Sequence, residues 1–186
     1  MTTAITQLVP NTYDELISFR DGLRDEHGES DADLRPIAEL LLARETRLLE
    51  ERAYDAWLEI LTNDCIYWMP HSTDSDPRHE VSYLLDDRRR ILDRIAWMRT
   101  GWAHAQTPSS VTIRAVSNIE SFYGGLNTIR VRASAVTWAW RRQELIPHPV
   151  GLRYLLVRQN DEWRIRFRII QRVDADGAVR NLAFIL

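Results

Sequence analysis

Lysine is missing from this 186-residue chain, and all 24 basic residues are arginine. That absence excludes Schiff-base chemistry on a lysine amine and a phosphate-loop lysine. Cysteine is nearly missing too. The lone Cys65 can neither close an internal disulfide nor hold an iron–sulfur cluster, and its place in an apolar strand predicts a small buried hydrophobe. A reducing cytosol suits such a chain. No apolar run approaches the roughly 20 residues that span a bilayer, and the N-terminus lacks the basic-then-apolar order of a leader. The expectation is a soluble, cytoplasmic protein. There is no GxGxxG after a strand, no GxSxG elbow and no phosphate loop, so nucleotide binding and serine hydrolysis have no support. The five histidines, His27, His71, His79, His104 and His148, show no HxxxH, HxH or His-plus-Cys spacing, and no metal site is expected.

The charge that is present is unevenly placed. Residues 1–64 hold 6 Arg against 15 Asp and Glu, whereas residues 126–172 hold 10 Arg against 3. Two explanations stay open: an arginine-rich solvated strand face, or a subunit interface, where Arg is enriched and Lys depleted. At 186 residues the chain is one domain's worth, able to bury roughly two thirds of its unfolded surface. Without repeats, low-complexity tracts or a linker, it divides only into an acidic arm or short helix over residues 1–32 and a single α+β domain over 33–186.

The chain is organised around residues 44–70, where a helical pattern stops and an aromatic strand begins. Before them, Thr12 and Glu15 resemble a capping box for a short helix through Leu16, Phe19 and Leu23, ending near Gly28. Asp33 is placed to cap a longer helix that tolerates Pro36 in its first turn and runs to about Glu50. Its apolar face is Leu34, Ile37, Ala38, Leu41, Leu48 and Leu49, with Glu45 in the middle of it. A carboxylate is therefore aimed at the core. A second helix spans Ala53–Leu61, and Cys65–Met69 read as strand after the Asn63-Asp64 break.

Residues 71–80 lack periodicity and read as a loop. From Tyr83 a third helix carries the stripe Leu84, Ile91, Ile95 and Met98, with pairs Asp86–Arg90 and Arg89–Asp93, and Gly101 ends it. Arg88 falls inside that stripe, as Glu45 does in its own. A buried charge needs a partner, so Arg88 is the first candidate to bond Glu45. From Ser109 the period is two. Strands are expected at 110–122, 126–141, 150–159 and 162–173, with Gly124-Gly125 and Asn160-Asp161 as hairpin turns. In the last, Trp163, Ile165, Phe167 and Ile169 should face one way and Arg164, Arg166 and Arg168 the other. Helices first and long antiparallel strands after predict an α+β fold with a curved sheet wrapped around the helices. The apolar run Ala183–Leu186 should dock.

One set could do acid–base work on a small ketone or enol: Glu45, Asp64, Tyr54, Tyr67 and His104, with His71 near the same elements. The same residues could equally be a polar cluster that satisfies buried helix ends. Strand arginines beside Trp138 and Trp140 admit a nucleic-acid platform, which the net charge of −3 disfavours.

Three separated blocks, RETRLLEERAYDAWLEILTNDCIYWMP, DDRRRILDRIAWMRTGWAHAQTPSSVTIRAVSNIE and DEWRIRFRIIQRVD, resemble the small (β) subunit of bacterial aromatic-ring-hydroxylating dioxygenases. The likeness covers roughly residues 36–186, and the longer acidic N-terminus departs from it. It implies a cone-shaped fold of the nuclear-transport-factor and cystatin-like kind. It also implies no catalytic, cofactor-binding or metal residues in this chain. The Rieske cluster and mononuclear iron of such enzymes sit in the large α subunit. That subunit takes electrons from NAD(P)H through a reductase and adds dioxygen across an aromatic ring to give a cis-dihydrodiol. By the same likeness the β chain trimerises and supports three α chains as α3β3, using its Arg-rich sheet and Asn181–Leu186. The competing readings are a stand-alone dehydratase, isomerase or cyclase on the same cone, and a small-ligand binding module.

Overall fold

The computed structural model describes residues 10–100, 109–174 and 184–186. Helices α1 (Pro10–Arg24), α2 (Arg35–Glu50) and α3 (Tyr54–Glu59) lead into β1 (Leu61–Met69), β2 (Leu84–Asp87) and α4 (Arg88–Arg99). Four long strands follow: β3 (Val111–Tyr123), β4 (Thr128–Arg141), β5 (Glu144–Gln159) and β6 (Glu162–Arg172). They form one open, curved sheet in the order β2-β1-β6-β5-β4-β3. The α+β architecture is as expected. One pairing is not antiparallel: β1 runs parallel to β6, so an early strand lies beside the last. Alternation reports the two faces of a strand, not its neighbours.

Helix ends explain two shifted boundaries. Asp33 does not cap α2, whose N-cap is Leu34 with no side-chain cap bond; Asp31 instead closes the turn before the helix, its carboxylate accepting from Asp33 N at 2.9 Å and Leu34 N at 3.2 Å. Leu84–Asp87, expected as helix, instead pairs with Ile66–Met69 as a strand. Asp87 then caps α4 by accepting from Arg90 N at 2.8 Å. Asp86 is thereby turned inward and bonds Arg94 at 2.6 Å, not Arg90, whose guanidinium donates to Leu85 O. Gly101 and His104 lie outside the described residues.

Both sheet faces are covered, but by different helices. On the inner face, α2, α3 and α4 pack on Cys65, Tyr67, Met69, Leu152, Tyr154 and Ile170. On the outer face, Leu16, Phe19 and Leu23 of α1 cover Ile66, Trp68, Phe167 and Ile169. Double cover is why Cys65–Met69 is buried without a break. The expected one-sided alternation of β6 fails for a single reason. Leu155 pairs with Phe167 but Leu156 with Ile165, which leaves Arg166 as an extra residue. That bulge turns the strand over. Ile165 faces the inner core, Phe167 and Ile169 face α1, and Arg168 is carried inside.

The hairpins show their chemistry. Asn160 and Asp161 both take positive φ, as a two-residue turn requires, and so do Arg142 and Gln143. The latter turn starts β5 six residues earlier than expected. The added stretch contains Pro147 and Pro149; β6 ends its pairing at Val150–Arg172, so both prolines lie on an edge where a missing donor costs little.

Candidate functional site

Glu45 sits in the cone's interior, 2% exposed. Its Oε1 accepts from Trp57 Nε1 and lies against Arg168 Nε, both at 3.2 Å, and its Oε2 accepts from the Tyr154 hydroxyl at 2.8 Å. Arg168 Nε also reaches the Tyr154 hydroxyl at 3.2 Å, so that phenol both donates and accepts. Arg168 Nη1 and the Tyr67 hydroxyl donate to the main-chain oxygen of Leu186. The guanidinium lies 5.1 Å from the ring centre of Tyr67 and 5.7 Å from that of Tyr154. Arg114 of β3 donates to Ile185 O. Ile185 and Leu186 are buried, so the expected docking of the apolar end is observed for them. Ala183 and 181–182 lie outside the described residues.

The expectation that Glu45 is buried and bonded to an arginine is met, but the arginine is Arg168. Arg88 instead donates to Leu58 O, Leu61 O and Thr62 O, closing the end of α3. Arg168 was assigned to the outer face because the bulge at Arg166 leaves no local signal such as a glycine. Tyr154 was legible in principle, since Leu152, Tyr154 and Leu156 alternate with Arg153 and Leu155.

Electrostatics keep Arg168 charged and the two phenols neutral. Burial alone would discharge Arg168, but Glu45 and the two phenols raise its affinity for the proton above the ordinary arginine value. Burial pushes the Tyr154 and Tyr67 phenols up, so both stay neutral donors. Both Glu45 oxygens are engaged within the cluster. The cleft nearby, between Tyr54, Arg114 and Ile185, has room for about 10 Å3, the size of one water.

The remaining residues of the set do not converge. Tyr54 is half-buried, with its hydroxyl 3.9 Å from Met98 Sδ. Asp64 is on the outer side, where Arg166 bonds it at 2.7 Å and Glu15 of α1 at 2.5 Å. His71 is exposed, 3.0 Å from the Tyr83 hydroxyl. Among the described residues, no three His, Cys, Asp or Glu side chains gather as a metal site would require. Cys65 is buried, and burial pushes its thiol up to about 12. A hollow of about 730 Å3 is an open groove between α1 and the outer sheet face. Arg130 and Arg166 at its edge are paired with Glu26 and Glu15. Much of the charge asymmetry is therefore settled inside the chain: acidic helices meet basic strands.

Residues 44–176 match the family model described as the ring hydroxylating beta subunit. The small subunit of 2-halobenzoate 1,2-dioxygenase from Burkholderia cepacia is 32% identical over 114 residues, 58% of this chain and 68% of that one. The small oxygenase component of the p-cumate 2,3-dioxygenase system from Pseudomonas putida is 30% identical over 135 residues, 70% and 74% of the two chains. The crystal structure of the benzoate 1,2-dioxygenase beta subunit from Burkholderia mallei has the same fold. Its TM-score is 0.67 at 22% identity, over 86% of this chain and all of that one. A match across most of the chain, joined to a helix-filled cone on a curved sheet, makes this protein a member of the ring-hydroxylating beta subunit family.

Proposed function

We propose that this chain is the non-catalytic structural subunit of a terminal oxygenase whose α subunits cis-dihydroxylate an aromatic ring, assembled as α3β3 in the cytoplasm. The observation that carries the structural role is the filled cone. Glu45, Arg168 and Tyr154 satisfy one another, and Ile185 and Leu186 are buried beside them. Family membership supports an α partner.

The redox groups of such an oxygenase do not fit this chain. A Rieske centre needs two thiolates and two imidazoles, and the sole thiol here is buried in β1 and strongly disfavoured as a thiolate. No step is derived through iron. This chain's contribution is a rigid, two-faced sheet against which larger chains can be held. Residues 33–186 serve as one domain, and residues 1–32 as an acidic arm whose helix lies on the outer face.

Co-expression with the gene for an α subunit, followed by size-exclusion chromatography and iron analysis, tests the reading. An iron-bearing chain should copurify with this one, and this chain alone should convert no aromatic or enol substrate. Turnover by the purified chain alone would instead favour the dehydratase or isomerase reading.

A further inference from the structure

Strand register gathers arginines on the outer sheet face beside α1. β5 presents Arg153 opposite Arg132 on β4 and opposite Ile169 on β6, which packs with α1. Arg130, Arg132 and Arg166 on this face each have a carboxylate, at 2.7, 2.7 and 2.5 Å. Arg153 has none among the described residues, and its Nη1 is buried without a hydrogen-bond partner. Burial pushes its guanidinium down, and Arg20, Arg24 and Arg132 add to that against Asp21. Asp21 is already taken, by Arg20 at 2.8 Å and Arg24 at 3.6 Å. Arg153 is thus a cation among cations with no anion of its own, an arrangement that is costly until one arrives.

The floor beside it is small and polar. Two residues along β5, and so on the same face, Gly151 pairs with Ser134 on β4 and with Gln171 on β6. A Cβ at Gly151 would meet nothing closer than Gln171 Cβ at 3.8 Å, so the space above the glycine is open. Arg153, Gly151 and Gln171 are half-buried and Ser134 is exposed, which leaves the spot reachable from solvent. Gln171 Oε1 is also buried without a partner. One side of the spot therefore lacks an acceptor and the other lacks a donor. A small group that answers both must carry a negative oxygen and an O–H together. Hydrogen phosphate has both at neutral pH, whereas an ionised carboxylate is acceptor-only, and sulfate likewise has no proton to give.

We propose that Arg153, Gln171 and the open floor at Gly151 form a site for a hydrogen phosphate group, either the free ion or the head of a phosphomonoester. The Arg153 guanidinium turns outward and donates to phosphate oxygens through its fork, and Gln171 Oε1 accepts the phosphate O–H. Arg20, Arg24 and Arg132 add attraction from around the spot. Because Arg20 and Arg24 belong to α1 and Arg153 to the sheet, the bound anion ties the acidic arm to the outer face. Such a site adds a ligand to the structural role and does not depend on it.

The full chain, as wild type, Arg153→Gln, Gly151→Val and Gln171→Leu, is titrated with sodium phosphate, sodium sulfate, sodium benzoate and phenyl phosphate by isothermal titration calorimetry. Ionic strength is matched throughout, so that general screening is held constant, and circular dichroism checks folding. Wild type should bind phosphate roughly tenfold more tightly than sulfate or benzoate, and its thermal midpoint should rise with phosphate. Arg153→Gln and Gly151→Val should each weaken phosphate by about tenfold or more, and Gln171→Leu should erase the preference over sulfate. Gly151 lies within β5 without positive φ, so Gly151→Val serves where Arg153→Gln does not fold. Phenyl phosphate bound as well as phosphate assigns the site to phosphomonoesters, and phenyl phosphate refused assigns it to the free ion. A wild-type chain that binds no phosphate, or binds sulfate equally, overturns the proposal, as does a folded Arg153→Gln or Gly151→Val chain that binds phosphate like wild type.

Discussion

At the scale of single residues, the ion pair between Glu45 and Arg168 sets the interior. Both side chains are almost fully buried, so removing one charge leaves the other without a counter-ion. Glu45→Gln should destabilise the fold by about 3–5 kcal/mol in urea unfolding. The paired replacement Glu45→Leu with Arg168→Met should cost less than either single change, because no buried charge is then stranded. Equal or greater loss in the double variant would show that the pair does more than neutralise itself. Glu45 could be picked out beforehand from its place on an apolar helix face. Its partner could not, because Arg168 enters the cone only when β6 skips a residue against β5.

Elements show which segments the site leans on. Asp87 begins α4 directly after β2, and Asp87→Ala should cost about 1 kcal/mol as an N-cap loss. Leu186 O accepts from Tyr67 and Arg168, Ile185 O accepts from Arg114, and Phe184 packs just before them. Removing these three residues should lower the unfolding midpoint without abolishing the sheet signal in circular dichroism. The ring of His148 packs edge-on to Phe184 at 5.5 Å, and burial holds its imidazole below the ordinary 6.5 despite Asp174. The folded chain thus takes up this proton less readily than the unfolded one. Its contribution is complete above pH 6.5 and is lost as the pH falls from there toward the lowered folded value. Between about pH 7.5 and about pH 5.5, His148→Gln should lose less stability than wild type. An identical loss would mean that His148 is not the group responsible. The strands themselves were legible as alternation, but β2 was not, because four residues before a helix share the helix's apolar spacing.

For the whole molecule, stability should depend on company. A subunit held in an assembly gains stability from mass action, so its thermal midpoint should rise with protein concentration and rise again with the α chain present. A midpoint independent of both would argue for a self-sufficient monomer. The acidic helices and basic strands noted in the sequence first neutralise each other within the fold, through Arg166 with Glu15 and Arg130 with Glu26.

The amino-acid order alone determined the periods of the helices and long strands, the burial of Cys65 and Glu45, and the family blocks, because these follow from local spacing and side-chain chemistry. Tertiary structure alone decided that Arg168 rather than Arg88 answers Glu45, that Phe167 and Ile169 turn to α1, and that Asp64 stays away from the interior. Those outcomes depend on strand register and on a bulge, and both are set by pairing between segments far apart in the chain.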